Sequence, residues 1–289
     1  MQYLKWPWMF WILFIISAVI TGAAFFLLQE TYVPVLLIAK KKQLEKEEGG
    51  KYFFEGEDNS GLVHKVGQAI KRPLRILFLQ PIVLTMATYQ ALLFSIAYSL
   101  FTQFQTIYGE GYGFNTLQVG LVYLGPGIGF LVAVRLIVPR IDQVYNHLTE
   151  KNDGKSKPEF RLPVANIGSV LIPISMFWFA WTVEYHTHWA WSVAATFFYG
   201  LGQVAIFNSV QNYYIDAFEK YAASAIAAGA LFRSVIGGVV PLFTPAMTEK
   251  LGYGWGISVF GFLALLLAPS PLLFYKYGGW LREKFAIEL

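Results

Sequence analysis

A chain of 289 residues that is 56% hydrophobic and 14% charged falls well short of the roughly one-quarter charged residues of a soluble domain. Mean hydropathy is +0.48, and 25 Phe, 17 Tyr and 9 Trp point to a surface that faces lipid, which argues against a water-soluble enzyme. With no Cys there is no disulfide framework, thiol nucleophile or Cys-ligated metal, and the net charge of +4 needs its position along the chain before it means anything.

A membrane-crossing helix needs about 20 mostly apolar residues. Seven stretches qualify: 8–28, 81–108, 116–137, 162–183, 189–213, 221–247 and 255–275. Their continuous apolar character favours helices over barrel strands, which would alternate. The first is too long, and lacks the small-residue cleavage site, for a signal peptide. The chain begins almost directly on it, with Trp6, Trp8 and Trp11 marking an interface, and this start reads as cut. The stretch 29–80 is expected to be cytoplasmic: a helix over 35–48, apolar then charged; a mobile Gly/Asn/Asp/Glu-rich stretch over 49–61; and an amphipathic surface helix over 62–79. The expected domains are thus a single helix (1–28), a central loop (29–80) and a six-helix unit (81–289).

Lys and Arg now fall into a pattern. Nine lie in 40–75 and five in 138–161, and Lys220, Lys276, Arg282 and Lys284 bring that set to eighteen, against only Lys5 and Lys250 in the alternate loops. By the positive-inside rule the rich set is cytoplasmic, the N-terminus is outside and the C-terminus inside. The basic excess is a topology signal, and a nucleic-acid partner is not expected.

Five strings carry a family resemblance. They are Gln29-Glu30-Thr31-Tyr32-Val33-Pro34-Val35-Leu36-Leu37 with Lys40–Lys42; Lys71-Arg72-Pro73-Leu74; Pro158-Glu159-Phe160-Arg161-Leu162; Asn212-Tyr213-Tyr214-Ile215-Asp216-Ala217-Phe218 with Tyr221-Ala222-Ala223-Ser224-Ala225; and Arg233 with Pro241-Leu242-Phe243. In order and spacing they resemble the sixth to twelfth helices of fungal drug:proton antiporter-type exporters of the major facilitator superfamily. Gln29 stands where that family usually has Pro. The resemblance implies an all-α polytopic fold in which this chain is the C-terminal half plus the last helix of the N-terminal half. It implies efflux of small organic molecules such as drugs or secondary metabolites, by rocking of two halves about a central cavity, coupled to protons. The first five helices, with their acidic proton-coupling positions, are not matched. A plasma-membrane location is expected, and no cofactor.

Polar groups inside spans are expensive and form the shortlist for a cavity. Arg233 lies deep in the sixth span, read either as an anion or carbonyl contact or as a structural pair. Gln203, Asn208 and Gln211 are read as one helical stripe with Phe207 beside it, serving substrate or interhelical bonding. Phe94, Tyr98 and Gln103 mark the second span; Tyr98 falls where the family places a cavity aromatic, and Phe94 replaces a frequent Tyr. Such walls suit flat amphiphilic compounds. Gly125-x-x-x-Gly129 permits close helix contact, and Pro126 with Gly127 a bend. Asp216 and Glu219, with Lys220 beside them, suggest a cytoplasmic charge latch with Arg140 and Asp142 as partners; Glu159 and Arg161 belong to the same structural set.

Catalysis has little support: the four His are scattered, no ligand cluster is spaced for a metal, and Gly-x-Ser-x-Gly is missing. Two alternatives stand beside transport. One is a truncated membrane protein that pairs with a full-length relative. The other is a seven-helix receptor, disfavoured as a retinal protein because 255–275 holds no Lys.

Overall fold

The structure, a computed structural model, describes residues 7–31, 33–54 and 62–285. Trp6 and Tyr32, read above as an interface marker and part of a family string, lie outside them, as does 55–61 of the expected mobile stretch; the Lys220 side chain is also outside the description. The described residues hold helices and no strand, and the chain is an all-α polytopic membrane protein. It divides into two units, Met1–Lys65 and Val66–Leu289.

In the first unit α1 (Pro7–Leu27) starts on a proline, which suits the first helical position, and carries no charge. Its 21 residues span about 31 Å at about 1.5 Å per residue, and no side chain on it is buried. An apolar helix exposed all round is what lipid, not water, tolerates. α2 (Val33–Glu48) runs from apolar to charged. Residues 49–54 leave the helix, with Gly49 in the left-handed region at φ 69°.

α3 (Leu62–Leu79) leads into the second unit. Ile76 and Leu77 on it are buried while Ile70 and Phe78 are exposed. Next come α4 (Pro81–Phe104), a π-helical turn Gln105–Gly111, α5 (Thr116–Val122) and α6 (Leu124–Leu136). A reciprocal cap starts α5: Asn115 Oδ1 accepts from Gln118 N–H at 3.0 Å, and Gln118 Oε1 accepts from Asn115 N–H at 2.9 Å. The expected span 116–137 is therefore two helices. The interruption expected from Pro126 shows one turn earlier, at Tyr123, whose backbone stays right-handed helical, because Pro126 has no N–H to return to Val122 four residues back.

The expected loop 138–161 is largely α7 (Val138–Lys151), followed by a 3₁₀ turn Pro158–Arg161. α8 (Ala165–Glu184) and α9 (Trp189–Phe218) follow. A final 63-residue helical run, Ala222–Lys284, would stretch about 95 Å if straight, three times a bilayer core. It is broken twice. α10 (Ala222–Leu267) reverses at Gly252, whose φ 74° and ψ 168° only glycine adopts readily, and α11 (Ser270–Lys284) follows Pro269. The reversal is visible at Gly256, where an added Cβ would lie 3.3 Å from Thr248 Cα. Among the described residues the six apolar helical runs thus contain seven crossings: the part of α10 before Gly252 is the expected sixth, and the part after it, too short at about 22 Å to span alone, continues past Pro269 into α11 as the expected seventh.

Packing in the second unit relies on close backbones and buried polar pins, because lipid supplies little hydrophobic drive between helices. A Cβ on Gly129 would come within 2.3 Å of Phe197 O, so α6 lies directly on α9. Tyr108 shares a 2.8 Å hydrogen bond with Ser192, Thr244 donates to Ser99 at 2.8 Å, and Tyr214 donates to Val83 O at 3.3 Å. These tie α4 and the π-helical turn after it to α9 and to the first half of α10.

Candidate functional site

Four of the sequence candidates, from three helices, meet on one face of the second unit. Phe94 and Tyr98 stand one turn apart on α4 with ring centroids 4.9 Å apart; Phe207 of α9 lies 6.4 Å from Phe94. The Arg233 guanidinium of α10 sits over both Phe rings, 5.4 Å from Phe94 and 5.1 Å from Phe207. Gly237, one turn beyond Arg233, admits Phe94: a Cβ there would fall 2.9 Å from its ring.

Arg233 has no hydrogen bond or ion pair among the described residues, and its Nε is buried without an acceptor. Each ring contact contributes about 0.5–2 kcal/mol. An unsatisfied buried donor costs about 1–3 kcal/mol, more when charged. The rings therefore flank the cation without satisfying its buried Nε–H, and the structural pair considered from sequence is not formed among the described residues. Farther along the seam, Gln90 Nε2 is buried without a partner among the described residues, beside Gly229 and one turn before Phe94.

The aromatic wall continues outward. Tyr98 lies 6.5 Å from Phe101, which lies 5.5 Å from Tyr123, and Tyr123 OH donates to Phe101 O at 2.8 Å. Tyr98 is 47% and Tyr123 41% exposed, so this is an open face and not a core stack. Phe101 and Tyr123 are functional candidates that sequence reasoning missed. Phe94, Tyr98 and Phe101 have i, i+4, i+7 spacing, which was the available signal.

The polar residues of α9 do not form one stripe. Five residues separate Gln203 from Asn208, a rotation of about 140° on the helix. Gln203 is buried, with Oε1 unpartnered among the described residues. Asn208 donates to Val204 O of its own helix at 3.1 Å, and Gln211 is half-buried. Phe207 is the member of this group on the Arg233 face. Gln103, two turns beyond Phe94 on α4, lines a separate pocket against α10.

The candidates expected for a charge latch form a second cluster. Arg161 donates through Nε to Asp216 at 2.7 Å and through Nη1 to Asp142, and its guanidinium lies 3.9 Å over the Tyr145 ring. Burial works against its charge, yet the hydrogen bonds and charges of both carboxylates outweigh burial and raise its pKa above the ordinary value. Glu159, buried, pairs with Arg282 at 3.5 Å. Arg140 is exposed and has no ion pair among the described residues; Arg161 occupies the place expected for it, because the turn after Pro158 aims Arg161 between α7 and α9. Among the described residues no group of His, Asp and Glu is placed to hold a metal.

A profile described as Major Facilitator Superfamily matches residues 1–241. The chain is similar to the MFS transporter cpaT of Aspergillus oryzae, 40% identical over 96% of this chain and 56% of the relative. It is similar to the MFS-type efflux pump MFS2 of Trichophyton rubrum, 39% identical over 98% of this chain and 48% of that protein. Efflux pump radE of Floropilus chiversii is 38% identical over 98% of this chain and 54% of its own length. The chain spans about half the length of these curated relatives. No solved structure matches it.

Proposed function

The chain belongs to the Major Facilitator Superfamily, and on that premise we propose that it supplies the C-terminal wall of a transporter that exports small organic molecules. In this reading α1 is the last helix of an N-terminal half, 29–80 the cytoplasmic central loop and 81–289 the six-helix C-terminal domain. The N-terminus is outside, the C-terminus inside, and the membrane is the plasma membrane. The relatives named as efflux pumps support outward transport.

The observation that carries a substrate class is the unpartnered Arg233 guanidinium held over Phe94 and Phe207. A half-open aromatic wall with a hydrogen-bond-hungry cation suits a flat aromatic molecule bearing a carboxylate, phenolate or polarised carbonyl. The rings take the flat body, and the guanidinium takes the acceptor. Arg161, Asp142 and Asp216 serve as a cytoplasmic latch whose opening accompanies rocking of the halves. Protons drive the cycle through carboxylates of the N-terminal half.

The test joins the chain behind five N-terminal helices of a family member and follows efflux of a fluorescent aromatic carboxylate from cells. The joined protein exports the dye, a protonophore abolishes export, and Arg233→Ala lowers it at least about tenfold, an effect of about 1.4 kcal/mol. Unchanged export with Arg233→Ala removes that residue from the site, and robust export by the present chain alone refutes the half-cavity reading.

A further inference from the structure

Beyond the Arg233 face, the α4–α10 seam opens at its Gly252 end. A pocket of about 330 Å³ is lined by Thr102, Gln103, Thr106, Pro241, Thr248 and Glu249, among others. It begins eight or nine residues past Arg233 and Phe94, about 12–14 Å farther along the helices. Its wall includes Thr106 on the π-helical turn, a geometry frequent at functional sites. The volume equals roughly eleven waters at about 30 Å³ each, enough for a small organic ligand.

The lining presents acceptors. Thr102 spends its hydroxyl proton on Ser99 O at 3.0 Å, and Thr248 spends its own on Thr244 O at 3.1 Å or Pro245 O at 3.0 Å. Both hydroxyl oxygens keep free lone pairs. Pro245 has no N–H, so the Pro241 carbonyl four residues earlier loses its helical donor. Gln103 is 6% exposed, lines the pocket and makes no hydrogen bond among the described residues. Glu249 adds the formal charge.

We propose that this pocket is a second ligand site, for a primary ammonium group on a small organic molecule. The three N–H donors draw on four acceptors, the Gln103 amide oxygen, the Thr102 and Thr248 oxygens and the Pro241 carbonyl, while Glu249 balances the charge. The site is chemically opposite to the Arg233 face, which offers donors, so the two stations along one seam select opposite ends of a substrate or different substrates.

The probe is benzylammonium, with benzyl alcohol and benzoate as neutral and anionic matches, titrated against the purified chain in nanodiscs by saturation-transfer NMR. Benzylammonium binds at least tenfold more tightly than benzyl alcohol. Glu249→Gln, a substitution of an exposed side chain, weakens benzylammonium at least tenfold and leaves benzyl alcohol unchanged. Thr106→Val, also exposed, weakens benzylammonium severalfold, and Arg233→Ala leaves it unchanged. The proposal is overturned if benzylammonium shows no binding up to about 10 mM, a concentration at which even a fragment-level site fills. It is equally overturned if Glu249→Gln has no effect, or if Arg233→Ala abolishes benzylammonium binding. Benzoate binding reports separately on the Arg233 face, so either site can fail alone.

Discussion

Replacing Gly252 by Ala tests the reversal that turns one long helical run into two crossings. Its φ 74° and ψ 168° lie in a region essentially reserved for glycine, and forcing a side chain there costs about 1–3 kcal/mol. A Cβ would also stand 3.0 Å from both carboxylate oxygens of Glu184. That carboxylate accepts the Gly254 N–H at 2.9 Å, so displacing it forfeits a charge-assisted hydrogen bond of about 1.5–3 kcal/mol. The two effects together put Gly252→Ala about 2.5–6 kcal/mol below the parent in stability, as the sum of those two ranges. Reversible unfolding of the purified chain in mixed micelles, monitored by circular dichroism, measures the difference. Glu184→Gln alone removes the charge and keeps an acceptor, for a loss of about 1 kcal/mol. The double variant loses less than the sum, because the Gly252→Ala methyl group has already displaced the carboxylate. A Gly252→Ala protein within about 0.5 kcal/mol of the parent would show that the turn does not need this backbone, and the crossing count would lose its support.

In a double-mutant cycle, Arg161 couples to half-buried Asp216 by about 1–2 kcal/mol and to exposed Asp142 by less than about 1 kcal/mol; equal couplings would contradict the assigned burial. Because the Arg161 pKa is raised, its contribution is complete below the unfolded-state value and fades only as pH climbs through the folded one; stability attributable to it is therefore flat from about pH 6 to 9 in thermal melts of parent and Arg161→Ala. Arg282→Ala, which strands the buried Glu159 carboxylate, destabilises by about 3–5 kcal/mol, whereas Glu159→Gln, which leaves the more exposed Arg282 to water, costs under about 1 kcal/mol; the reverse order in chemical denaturation would refute the pairing. Gly129→Leu forces α6 off the Phe197 carbonyl and lowers stability by more than about 2 kcal/mol, read in the same unfolding assay.

The crossings were legible because each is a local property of some 20 consecutive side chains. α7 was not read as a helix, although Ile141, Val144 and Leu148 have helical spacing, because its charges and the loop around it set the reading. The break at Tyr123 follows from one missing N–H, which shows in sequence only if the donor four residues away is counted. Arg233 was legible as an expensive residue; that it lies over Phe94 and Phe207 required α4 and α9 to be placed beside α10. The family strings reveal their physical sense only in three dimensions. Arg161 of one meets Asp216 of another, 55 residues apart, and Arg72 of a third lies 5.1 Å over the Tyr221 ring. No local pattern encodes such pairings. The α9 stripe failed for a simpler reason, since residues five apart do not share a helix face.

In the proposed function, Arg233 and the two phenyl rings receive the acceptor end of an aromatic substrate. The most direct measurement is benzoate binding to the purified chain in nanodiscs, compared between parent, Arg233→Ala and Arg233→Lys. The account predicts binding to the parent, at least about tenfold weaker binding to Arg233→Ala, and partial retention in Arg233→Lys, which keeps the charge and loses the planar fork. Equal benzoate affinity in all three proteins would contradict it.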